Sequence, residues 1–283
     1  MRLNGRRLSN NVDDRRGKGG GRRGLVGGGI AGIIVAIAAL FFGGDIGSIL
    51  NQLTGGMATA PEATYTPDAR DEELATFSRQ ILAGTEDVWT RIFAENGLEY
   101  EPPKMVLYTG ATSSGCGAAD ASIGPFYCPA DETVYIDLSF FQNMRRDLGA
   151  DGDFAYAYVI AHEVGHHVQH LLGTLEETHA RMQRLDPTAA NRLSVCLELQ
   201  ADFYAGVWAH HDNRMFNSLE NGDIDEAIDA AQKIGDDYLQ KRARGYAVPD
   251  SFNHGTSQQR SSWLRRGLQT GDIRRGDTFA ALL

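Results

Sequence analysis

Between residues 67 and 283, apolar positions recur in two rhythms that divide the chain into elements. Leu74, Phe77, Ile81, Val88, Trp89, Ile92 and Phe93 follow one another at roughly helical spacing. Thr66-Pro67-Asp68 before them reads as an N-cap with proline at the first helical position, and Gly97 reads as the stop. Short β-type runs come next, Met105–Tyr108, Ile123–Tyr127 and Thr133–Leu138, set apart by Gly, Ser and Pro. Helical spacing returns over Phe154–Leu172, closed by Gly173, and again from Asp186-Pro187 to about His211. Residues 223–241 read as one further helix with Ile224, Ala227, Ile228, Ala231, Ile234, Tyr238 and Leu239 on one face. Residues 257–268 read as the last, where Thr256 and Gln259 have the capping-box form. A helix, a small sheet and then several helices predict an α+β fold that is mainly helical.

Ahead of this lies a different text. Leu25 to Phe42 holds eighteen residues without a charge, which as a helix would span about 27 Å, close to the thickness of a bilayer's hydrocarbon core. Its glycines are ordinary in membrane helices. The charge distribution points the same way. The whole chain carries a formal charge of -10, yet residues 1–24 hold Arg2, Arg6, Arg7, Arg15, Arg16, Lys18, Arg22 and Arg23 against only Asp13 and Asp14. By the positive-inside rule the pattern predicts a basic, disordered cytoplasmic tail (1–24) and a single transmembrane signal anchor (25–42). A flexible linker (43–66) and an extracytoplasmic folded domain (67–283) follow, giving a single-pass protein of the cell membrane. Ala58-Thr59-Ala60 has the form of a cleavage site, but it lies far beyond the apolar run and precedes Pro61. The acidic balance argues against a nucleic-acid partner, and 42% apolar residues exclude a wholly disordered chain.

The chemistry is concentrated in His162-Glu163-Val164-Gly165-His166, an H-E-x-x-H sequence within a predicted helix. Four residues make a little more than one turn, so both imidazoles leave the same face and can share one metal ion. A catalytic zinc takes three protein ligands and keeps a fourth position open. Glu163 then stands beside that position, able to take a proton from water activated by the metal and return it to the leaving amine. A histidine six residues after the second one would make a metzincin, but that position is Leu172. His167 points elsewhere, and His170 reads as a residue of the rim or of the shell behind the ligands. Glu198 and Asp202 lie four apart on a largely apolar predicted helix, so they are the candidates for third ligand and for the carboxylate that orients a ligand histidine.

H-E-x-x-H followed by E-x-x-A-D resembles the gluzincin clan. Over a longer stretch the chain resembles the bacterial neutral zinc metallopeptidase family, through CGAADASIGPFYCPADETVYIDLSFF, AHEVGHHVQ, LELQAD and HGTSQQR in that order. The resemblance implies a zincin-like (gluzincin) domain with one Zn2+ per chain held by His162, His166 and Glu198. It also implies Glu163 as catalytic base and Asp202 as the residue orienting a ligand histidine. His254, with Arg260 six positions on, matches a pair that in membrane metalloprotease relatives lies near the substrate oxyanion, which implies a transition-state donor role for His254. The family usually has cysteine where this chain has Phe203; Cys196, seven residues earlier, reads as a buried thiol. In an exported domain Cys116 and Cys128 would pair, although three cysteines allow three pairings and spacing does not choose among them.

These readings predict a membrane-anchored zinc endopeptidase acting on peptides or proteins. The alternatives are a catalytically inactive, zinc-stabilised binding domain and a helical domain in which the motif is coincidence. The intact Glu163 favours the first, since a scaffold needs the ligands but not the base. Substrate identity and oligomeric state are not specified by the sequence.

Overall fold

The computed structural model describes residues 1–17, 67–120 and 122–283. Helix α1 (Ala69–Glu95) begins at Asp68, not Thr66: the Asp68 side chain accepts from the Asp71 N–H and Asp71 returns the bond to the Asp68 N–H. This reciprocal cap satisfies two amide donors that a helix start leaves unpaired. Four strands form the main sheet in the order β1 (Val12–Asp14), β2 (Lys104–Tyr108), β6 (Thr133–Asp137), β5 (Phe126–Cys128). β1, β2 and β6 run parallel, and β5 is an antiparallel edge pairing Phe126 with Tyr135 and Cys128 with Thr133. A separate hairpin joins β3 (Ala111–Ser114) to β4 (Gly117–Asp120).

The period of two explains why β2 and β6 are buried on both faces. Met105, Leu107, Val134 and Ile136 enter the main core, while Val106, Tyr108 and Tyr135 pack with Ala119, Ile123, Phe126 and Cys128 in a second cluster. A short helix α2 (Ser139–Asn143) runs into a π-helical turn, Met144–Leu148. The main core then gathers α1, α3 (Asp153–Leu171) and α5 (Pro187–Phe216), with α4 (Thr174–Met182) between the last two. Asp186 caps α5 on the Ala189 N–H with Pro187 inside the first turn.

The expected single helix over 223–241 is two helices, α6 (Asp223–Lys233) and α7 (Asp236–Arg244). The break falls at Gly235, whose extended backbone lies so close against Ser257 that any Cβ would collide with it. α8 (Ser257–Thr270) starts with the expected capping box, and α9 (Thr278–Leu282) ends the chain.

The largest correction concerns the N-terminus. Residues 1–17 are not a disordered tail. Val12, Asp13 and Asp14 pair in parallel with Met105, Val106 and Leu107. Among the described residues the arginines of the basic block face carboxylates: Arg6 on buried Asp212 at 2.6 Å, Arg7 on Asp87 at 2.6 Å and Glu86 at 2.8 Å, Arg16 on Asp14 at 2.7 Å and Glu72 at 3.0 Å. The Met1 ammonium lies 2.7 Å from Asp153 and 3.3 Å from Asp223.

A single membrane crossing would put residues 1–17 and 67–283 on opposite sides, whereas here they share a sheet. The expected topology, with a cytoplasmic N-terminus and an extracytoplasmic domain, is therefore overturned. Among the described residues no helix is long and apolar enough to cross a membrane, and the fold is a mostly helical α+β unit with a small sheet. Leu25–Phe42 and the expected linker 43–66 lie outside the described residues.

Candidate metal centre and active-site cleft

Helix α3 is buried continuously from Phe154 to Gln169, so its polar residues need partners inside the protein. Those partners come from α5, and the approach of the two helices rests on one missing methyl group. A Cβ on Gly165 would lie 2.9 Å from the Ala201 carbonyl oxygen, so only glycine allows this crossing. The contact brings Glu198 onto the histidine face. His162 Nε2 is 3.1 Å from Glu198 Oε2, and His166 Nε2 is 3.5 Å from Glu198 Oε1. One donor atom from each of the three residues lies within 4.8 Å of the others, and all three side chains are buried.

The donor chemistry fits zinc. Tetrahedral ligands at about 2.1 Å from a zinc ion stand about 3.4 Å from one another, and the two observed separations bracket that value. The outer partners fix which ring nitrogens are free. His162 Nδ1 is 2.8 Å from Asp202 Oδ1, a carboxylate oxygen that can only accept, so Nδ1 carries the proton and Nε2 faces Glu198. The amide of Gln169 does the same for His166. Its Nε2 donates to the Leu197 carbonyl at 2.8 Å and to Gln200 at 3.0 Å, which turns Oε1 towards His166 Nδ1 at 2.9 Å. Both rings are thus held in the tautomer that presents Nε2 to a cation.

Asp202 is itself heavily engaged. Arg260 donates to both its oxygens, at 2.9 and 3.0 Å, and the Tyr158 hydroxyl donates at 2.6 Å. Burial would raise its carboxyl, but Arg260 and His162 outweigh that and hold it down at about 2. Glu198 behaves alike: burial opposes ionisation, and His254, His166 and His162 hold it well below the ordinary range. Burial acts on the His162 ring in the opposite sense to Asp202 and Glu198, which win and push it up to about 10. The same two carboxylates raise the ring's affinity for any cation at Nε2.

Glu163, one step round the helix, has no such counter-charge in contact. Burial drives its carboxyl up to about 7, moderated chiefly by the charge of His162. A carboxyl poised near neutrality is suited to taking and returning a proton. It lines a cavity of about 280 Å³ together with His162, His166, Glu198, His254 and Arg260. His254 enters from the loop before α8. Asp236 Oδ2 accepts the backbone N–H groups of Asn253, His254 and Gly255 at 2.7–3.0 Å, and Oδ1 lies 3.3 Å from His254 Nδ1. Nε2 is then the ring nitrogen left to donate. Burial lowers the affinity of this ring for a proton, but Glu198 and Asp236 more than restore it.

A family model described as "Putative neutral zinc metallopeptidase" matches residues 1–279. The chain belongs to that family. It is 48% identical over 287 residues to "Uncharacterized protein YpfJ" of Escherichia coli (strain K12), a match covering 99% of each chain. It is also 43% identical over 192 residues, 64% of each chain, to "Uncharacterized protein Rv2575" of Mycobacterium tuberculosis (strain ATCC 25618 / H37Rv). No solved structure matches the chain.

Within this family member, His162, Glu163, His166, Glu198, Asp202, His254 and Arg260 are brought together. Arg260 is engaged chiefly with Asp202, Tyr158 and the Ile234 carbonyl. His167 is buried away from the ligand face: Nε2 donates to the Glu101 carbonyl at 2.7 Å and Nδ1 accepts from the Tyr127 hydroxyl at 3.0 Å. His170 lies outside the cleft lining and pairs with Glu176. Cys116 and Cys128 form a disulfide, and Cys196 is a buried free thiol.

The sequence reading passed over Tyr158, Gln169 and Asp236. The first two were within reach of the same periodicity, because Tyr158 stands four residues before His162 and Gln169 three after His166. Asp236 carried no local signal, being eighteen residues from the histidine it orients.

Proposed function

We propose that the chain is a zinc-dependent endopeptidase in which His162, His166 and Glu198 hold the metal and Glu163 is the general base. The observation that carries this reading is the convergence of both Nε2 atoms on Glu198 beside a buried, near-neutral Glu163 in one cleft. Zinc held there would supply Lewis acidity towards water and the scissile carbonyl. Glu163 takes a proton from the attacking water and passes it to the nitrogen of the departing amine. His254 Nε2, with Asp236 fixing its ring, donates to the oxyanion that develops on the carbonyl. Arg260 and Tyr158 hold Asp202, and through it His162, in place. The cleft wall supports a peptide substrate with apolar side chains near the scissile bond. It includes Phe140, Met144, Val159, Ile234 and Leu239, and Arg146 and Asp147 on it are paired with each other.

The test combines metal content with one isosteric change. Purified full-length protein is expected to retain about one zinc per chain after dialysis. Glu163→Gln is expected to keep that zinc while losing hydrolysis of a peptide mixture by about 10²–10⁴-fold. Wild-type turnover in Glu163→Gln would overturn the mechanism. Bound zinc without hydrolysis in the wild type would instead favour a zinc-stabilised binding domain.

A further inference from the structure

One wall of the cleft is a single covalent ring. Ser122 to Tyr127 line it without interruption, and all of them lie between Cys116 and Cys128, which are twelve apart and disulfide-bonded. The bond joins two elements that share no ladder: Cys116 lies in the tight turn of the β3–β4 hairpin, and Cys128 ends the edge strand β5. β5 is three residues long and is paired on one side only. Among the described residues the hairpin is further fastened by the Gly115 N–H, which donates to Asp131 at 2.6 Å on the oxygen that also accepts from the Tyr135 hydroxyl, and by Ala119 packed with Ile123 and Phe126. The ring also reaches the general base, because Phe126 and Tyr127, just before Cys128, line the same cleft as Glu163. The three zinc-binding side chains stand on α3 and α5, outside the ring.

We infer that the Cys116–Cys128 disulfide is a redox-responsive clamp on the cleft wall, so that a dithiol reductant opening it slackens β5 and lowers turnover while the metal site stays intact. The two sulfur positions differ in access. Cys116 is exposed and Cys128 is wholly buried. A thiolate of the reductant attacks Cys116 Sγ, forming a mixed disulfide and expelling the Cys128 thiolate, which takes up a proton. The reductant's second thiol then displaces Cys116, leaving two protein thiols and one oxidised reductant, with two electrons and two protons transferred. Cys196 takes no part, being fully buried with its thiol pushed up to about 11 by that burial. Opening the ring lets the wall from Ser122 onward part from the hairpin and shift relative to Glu163, which lines the same cleft.

The inference rests on the hydrolytic reading for its activity measurement and is independent of it for the other. Full-length, zinc-loaded protein is compared before and after treatment with tris(2-carboxyethyl)phosphine, following peptide hydrolysis, zinc content and backbone hydrogen exchange. The phosphine opens the same bond to two thiols while its phosphorus is oxidised to the phosphine oxide with oxygen from water. Reduction is expected to speed exchange over Phe126–Cys128 about tenfold or more and to lower kcat/KM by about the same factor. Zinc and the exchange of α3 should be unchanged, and reoxidation should restore both readings. The Cys116→Ser/Cys128→Ser double variant should match the reduced wild type and ignore the phosphine. Unchanged exchange at β5, loss of zinc on reduction, or a response of the double variant to the phosphine would each overturn the clamp. If the oxidised protein cuts no peptide, the hydrolytic reading fails and the exchange measurement alone decides the inference.

Discussion

Helix α3 and the first seventeen residues are both packed into the same domain and both rich in groups that need partners, yet they are legible to very different degrees. In α3 the chemistry is local: His162 and His166 share a face by spacing, and Glu163 follows from the same helix. In the N-terminal segment several charges are satisfied by residues far along the chain, as when Arg6 reaches Asp212 across 206 positions and stacks over Phe216, while Arg15 and Arg16 also pair locally with Asp13 and Asp14. Seen without those partners, a run of arginines before an apolar stretch reads as a membrane signal. Spacing reports which residues face together; it does not report what an unpaired charge will meet.

This contrast can be broken or sharpened at several sites. The largest effect is expected at Glu198→Ala, which removes a proposed ligand and should abolish stoichiometric zinc binding, measured by elemental mass spectrometry after dialysis; retained stoichiometric zinc would move the site elsewhere. Asp202→Asn should weaken zinc by about 10–100-fold, less than Glu198→Ala does. It should also cost about 3 kcal/mol in denaturant unfolding, because Arg260 is left buried without its counter-charge. An equal or greater loss of zinc than in Glu198→Ala would contradict an orienting role.

Arg6→Ala probes the other region. Asp212 is 1% exposed and loses its charge partner, so unfolding free energy should fall by about 3 kcal/mol while zinc content stays the same. Unaltered stability would mean that the N-terminal segment contributes little to the fold. The smallest effect concerns acid. Burial would raise the Asp14 carboxyl, but Arg16 outweighs it and holds it below the ordinary 3.8. Its contribution is therefore complete above pH 3.8 and is lost as the pH falls through the lowered value. Hydrogen exchange at β1 should rise in that window before exchange in α3 does; simultaneous opening would show that the strand and the core unfold together.

Most helix boundaries and the shared face of His162 and His166 were readable because each depends on spacing within one helix or on a cap. What escaped depends on contacts between distant segments. Gly235 looks like an ordinary weak point inside a helix until Ser257 is seen pressed against it. Strands β3 and β4, made of Ala, Ser, Thr, Gly and Asp, carry almost no apolar alternation and gave no signal. Residue type alone could nominate Cys116 and Cys128, but only the fold pairs them and leaves Cys196 apart.

Where α5 and α8 cross, Gly206 lies against the Leu264 carbonyl and Gly267, and Gly267 lies in turn against the Phe203 carbonyl, so neither tolerates a Cβ. One helix carries Glu198 and Asp202, and the other carries Arg260 two turns before its glycine. A saturation mutagenesis map of activity should therefore show Gly206 and Gly267 as severely depleted as His162, His166 and Glu198, although neither lines the cleft. Read as a footprint of the active site, such a map would draw it too large; scoring zinc retention and folded yield alongside activity would draw it to size.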